Sequence, residues 1–65
     1  MIQDIYSLPH PYNVDGAIEV YGDPDNAWYE WRVLGKYGVQ AQSKNAQYGI
    51  PEIALRDALI AATAD

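Results

Sequence analysis

Cysteine and phenylalanine are absent from this chain, and histidine and methionine occur once each. Without cysteine there is no disulfide, and His10 alone cannot supply the nitrogen and sulfur donors of a structural zinc site. No cofactor or metal is therefore expected. Cations are scarce as well: Arg32, Lys36, Lys44 and Arg56 stand against nine carboxylates, a net charge of −5. Nucleic-acid affinity draws heavily on Lys and Arg at phosphates, so no nucleic-acid partner is expected. No apolar run reaches the roughly 20 residues of a membrane span, which argues against a membrane partner. The start Met1-Ile2-Gln3-Asp4 lacks the basic residues and apolar run of an export signal, so the cytoplasm is the expected location.

What remains is an acidic chain of 65 residues with an ordinary apolar share of 49%. That length makes a single domain, 1–65, close to the lower limit for folding alone. Disulfides and metals, the usual supplements of so small a core, are closed here. A compact monomer of low stability or an oligomer is left, and the size limit favours a homodimer.

Residues 1–16 read as an irregular segment. Pro9 and Pro11 bracket His10 and push their predecessors away from helix. Ile2 to Tyr6 is a candidate short extra edge strand with weak alternation, Ile2 and Tyr6 on one side and Ile5 on the other. Residues 17–43 read as antiparallel sheet. Ile18 and Val20 alternate with Glu19 and Tyr21, and Gly22-Asp23-Pro24-Asp25-Asn26 collects turn-forming residues. From Ala27 to Leu34, Tyr29, Trp31 and Val33 share one face while Trp28, Glu30 and Arg32 share the other. Gly35-Lys36-Tyr37-Gly38 turns the chain into a last strand, Val39 to Ser43, with Val39 and Ala41 together on one side. A helix follows over 50–62, with Pro51 in its first turn, where a missing N–H costs nothing, and Glu52 beside it to complement the dipole.

The expected fold class is thus α+β: a three-stranded antiparallel meander, with the candidate short extra N-terminal edge strand, and one C-terminal helix packed on one face. Ile50, Ala54, Leu55, Ala58, Ala61 and Ala62 line one broad side of that helix. The expected core is Ile18, Val20, Tyr29, Trp31, Val33, Val39, Ala41, Leu55, Ala58 and Leu59. Ile53 and Ile60, seven apart, fall outside it. They mark either a partner contact or a flank covered by the N-terminal segment.

Six tyrosines and two tryptophans carry all the aromatic area. A thin-walled domain tolerates such polar-tipped rings half-buried, and the same rings suit a recognition face. That face would hold Glu19, Tyr21, Trp28, Glu30 and Arg32. The catalytic signals are poor. His10 lies in an extended proline segment with no nucleophile or orienting carboxylate near it in sequence. Asp23, Asp25 and Asn26 lack the spacing, central glycine and late glutamate of a calcium loop and read as a turn. Glu19 and Glu30, neighbours across a hairpin, have little cleft in which to do acid–base work. The residues Trp28 to Val33, Gly38, Ser43, Tyr48 and the helix from Pro51 are laid out in a way that resembles small bacterial strand-strand-helix domains, among them stress-associated proteins and some antitoxins. The resemblance covers about residues 27–62, lacks an Asn-Gly turn, and carries over no function.

The expected function is that of a protein–protein interaction or regulatory module, with Tyr21, Trp28, Glu30, Arg32, Ile53 and Ile60 as binding residues and a protein partner or a second copy as ligand. The alternative is a small-molecule or peptide sensor with its pocket between the N-terminal proline segment and the sheet. An enzyme ranks last.

Overall fold

A computed structural model describes residues 1–64. Four strands, β1 (Gln3–Pro9), β2 (Ala17–Asp23), β3 (Trp28–Gly35) and β4 (Gly38–Gln42), form one antiparallel sheet in chain order, and helix α1 (Pro51–Thr63) follows. The architecture is α+β, as the sequence indicates.

Alternation decides which side of the sheet the helix covers. Ile18 pairs with Val33, Val20 with Trp31 and Gly22 with Tyr29, so these side chains share the face beneath α1. Ile18, Val20 and Val33 are the largest fully buried side chains. Burying each contributes about 2 kcal/mol. Ala54 and Ala58 have no accessible surface and Ala62 very little, so the helix meets β2 and β3 through its alanines. Small side chains let its axis come close, and Tyr29 and Trp31 fill the remaining space. Gly22 permits another close approach: a Cβ there would lie 2.2 Å from the Trp28 carbonyl oxygen.

The helix is held by this packing more than by its ends. Its N-cap, Ile50, offers no side-chain hydrogen bond, and no basic residue lies in its last turn. Pro51 opens it and Glu52 complements the dipole, as the sequence suggests.

Three expectations need correction. The candidate N-terminal edge strand is present, as Gln3–Pro9 (β1) against β2, so residues 1–16 are not wholly irregular. Its pairing slips between Asp4 and Tyr6, so Ile5 is the extra residue of a bulge and both Ile5 and Tyr6 pack against the core. Ile2 lies outside the strand, and the simple alternation fails at that bulge. Val39 does not share a face with Ala41. Ala41 pairs with Val33 but Val39 pairs with Leu34, on the open side, because Gln40 is the extra residue of a second bulge. Val39 is accordingly exposed rather than in the core. Leu59 also lies outside the core, and Ile50 is half exposed at the helix start. One helix covers β2 and β3 but is too narrow to cover the whole sheet, so Leu59 on its flank meets solvent.

Candidate binding site

Two surfaces carry the residues singled out from sequence, and the fold treats them differently. On the open face of the sheet, Glu19, Tyr21, Trp28, Glu30 and Arg32 are brought together as expected. Register places Glu19 opposite Arg32 and Tyr21 opposite Glu30. Arg32 Nε donates to Glu19 Oε1 at 2.5 Å, and its guanidinium lies 4.9 Å from the centre of the Tyr21 ring. The Tyr21 hydroxyl donates to Glu30 Oε1 at 3.1 Å, while Glu30 Oε2 accepts the Ala46 amide at 2.9 Å. Partial burial and then the Glu30 carboxylate raise the Tyr21 pKa above its ordinary value, and the bond to Glu19 raises that of Arg32. These polar groups serve one another, and Glu30 also ties down the segment between β4 and α1. Trp28 sits half-buried at the end of this row, opposite Asp23.

The second surface is the solvent side of α1. Ile53 is 37% and Ile60 59% exposed, and Leu59 lies between those values. Beside them Glu52, Leu55, Arg56, Leu59, Ile60 and Thr63 line an open groove of about 450 Å³ along the helix. These positions recur at three- and four-residue spacing, which sets them in one stripe along the axis. The Tyr6 hydroxyl donates to Glu52 Oε2 at 2.7 Å, so this flank turns toward β1, where Leu8 is also partly exposed. Hydrogen bonding to Glu52 raises the Tyr6 pKa.

A polar cluster invisible to sequence reasoning braces the covered face. Tyr48 pairs backbone to backbone with Tyr29. Its hydroxyl accepts the Trp31 indole N–H at 3.2 Å and donates to Asp57 Oδ2 at 2.6 Å. Ser43 accepts the Trp31 amide on its Oγ at 2.9 Å. Burial and then Asp57 raise the Tyr48 pKa. The Tyr48 hydroxyl and then Arg56 lower that of Asp57. An aromatic in an otherwise polar stretch before a helix was the only signal available, and nothing in the nine-residue separation of Tyr48 and Asp57 announced their contact.

The remaining candidates are engaged within their own loops or across the sheet. His10 Nδ1 accepts the Tyr12 amide at 3.0 Å within its own loop. Asp23 accepts from the Asn26 side chain at 2.7 Å and from the Asp25 amide at 3.1 Å, and the Asn26 bond leads in lowering its pKa. Glu19 and Glu30 point their oxygens at Arg32, Tyr21 and Ala46. Among the described residues no three His, Asp or Glu side chains converge as metal ligands, and no helix is long and apolar enough to cross a membrane. The proline segment joins the plane of the sheet, its strand β1 pairing with β2 up to Pro9 opposite Ala17. No protein-family model, curated protein or solved structure matches the chain.

Proposed function

We propose that this is a cytoplasmic interaction module that acts by binding another polypeptide through the outer flank of α1, and not by catalysis. The observation that carries this reading is the groove itself. Leu59 and Ile60 line it next to the exposed Ile53, uncovered by the domain's own core, with the half-buried Leu55 at its inner edge. Contiguous apolar surface rimmed by charge is the ordinary mark of a contact site. Of the two candidate surfaces the flank is favoured, because the polar groups of the open sheet face already satisfy one another. Trp28 remains a lesser candidate there.

Site-specific photo-crosslinking in the native host tests the reading. A photoreactive residue at Ile60 is expected to form a covalent adduct with a polypeptide, while the same residue at Ser7, on the open face, gives none. Absence of any protein adduct at Ile60 would sink the proposal. The alternative is a small-molecule or peptide sensor. A ligand that binds only the folded form raises the melting temperature, so a thermal-shift screen separates the two.

A further inference from the structure

We propose that the free edge of β4 accepts an extended acidic segment of another protein as a fifth strand. The inference goes beyond the α1 flank, which turns toward β1, whereas β4 closes the opposite side of the sheet. β4 pairs only with β3, so alternate backbone donors and acceptors along it face outward. The Ser43 amide bonds inward to the Trp31 carbonyl at 2.9 Å, and alternation along the strand therefore sends the Gln42 N–H and C=O outward. The two edges of the sheet are unequally guarded. β1 carries a bulge at Ile5, a charge at Asp4 and a proline, Pro9, that has no N–H to offer. β4 has no charge and no proline. Its bulged residue, Gln40, lays its side chain back over Gly35.

Charge names the occupant. Between Glu30 and Glu52 the chain holds no carboxylate, yet Arg32, Lys36 and Lys44 all fall there. A protein of net charge −5 thus has a cationic stretch, and β4 runs through it. Arg32 is committed to Glu19. Lys36 and Lys44 are exposed and stand just before and just after β4. Among the described residues neither pairs with a carboxylate. Glu30 is already taken by the Tyr21 hydroxyl and the Ala46 amide. A strand added here meets backbone partners along its middle and a lysine toward each end, so acids at both ends of the incoming segment complement it. A second copy presenting the same edge would set lysine against lysine, and two lysines are too few to hold a nucleic-acid backbone.

The test titrates the labelled chain with a capped peptide, Glu-Glu-Val-Thr-Val-Glu-Glu, and with its counterpart carrying lysine for each glutamate, followed by backbone NMR. The acidic peptide should shift the amides of Val39 to Gln42 and slow hydrogen exchange at Gln42. The lysine peptide should do neither. Lys36→Glu combined with Lys44→Glu should weaken binding about tenfold, and added salt should act in the same direction. Both lysines are exposed, so this variant keeps its fold. Gln42→Pro removes an outward donor and should abolish the complex, with circular dichroism to confirm that it is folded. Ile60→Glu should leave the complex intact, which tells failure here apart from failure at the α1 flank. The proposal is overturned by any of four results: no shift along β4, equal binding of both peptides, shifts confined to α1, or undiminished binding by the double lysine variant.

Discussion

The two faces of the sheet use the same strands and opposite chemistry. Beneath α1, Ile18, Val20 and Val33 are fully buried against alanines. On the reverse of those strands Glu19, Tyr21, Glu30 and Arg32 stay half-exposed and are joined by an ion pair, a hydrogen bond and a ring contact. The difference teaches where stability resides. Apolar burial scales with area removed from water, while exposed charge pairs are offset by hydration and side-chain entropy. The covered face should therefore hold the fold, and the open face should tune the position of the β4–α1 segment through Glu30 and Ala46.

The strongest challenge to that division is Ile18→Ala, which leaves a cavity under the helix and should cost about 3 kcal/mol in urea unfolding. A loss below about 1 kcal/mol would mean that the helix settles to fill the space and that the covered face is not the principal support. Next is Tyr48→Phe. It strips the hydroxyl that joins the Trp31 indole to Asp57 and should cost about 1.5 kcal/mol, with a change in tryptophan fluorescence. Smaller still is the open-face pair. A double-mutant cycle on Glu19→Gln and Arg32→Gln should return a coupling near 0.5 kcal/mol, since Arg32 is 41% and Glu19 27% exposed. A coupling as large as the Ile18→Ala effect would erase the contrast between the faces.

The pH dependence separates the same regions without any substitution. Asp57 titrates below its ordinary 3.8 in the folded chain, so its contribution is complete above that value and is lost as pH falls through the folded pKa. Tyr21 is raised above 10.0, so its contribution is complete below that value and is lost as pH rises through the folded pKa. Tyr48 adds to the alkaline limb in the same sense. In unfolding experiments across pH, Asp57→Asn should reduce the acid limb and Tyr21→Phe the alkaline one. An acid limb unchanged by Asp57→Asn would show that the Tyr48–Asp57 contact does not brace the covered face.

Much of this arrangement was legible in the residues. Strict alternation along β2 and β3 put Trp31 and Trp28 on opposite sides, and the alanine spacing of α1 identified the face that meets the sheet. Half of the candidate surface was legible as well, since Ile53 and Ile60 were conspicuous as apolar residues outside the alanine face. Leu55 does pack against the core, but Leu59 was placed there too, because a helical wheel does not reveal how wide a sheet the helix must cover. Val39 was misplaced because a single extra residue reverses the side on which every later side chain falls. The contacts of Tyr48, Asp57 and Ser43 were not legible because their partners are near only in space.

Local order, then, belongs to the sequence. The strand periods, Pro51 opening a helix and the acidic charge all follow from neighbouring residues and their own chemistry. The tertiary structure alone decided the rest: that the candidate edge strand runs on to Pro9, that two bulges shift its register and that of β4, and that the helix leaves Leu59 uncovered. These outcomes depend on how backbone hydrogen bonds at the sheet edges are satisfied and on how much sheet one helix can span. Both are properties of the assembled layers, and no short stretch of chain contains them.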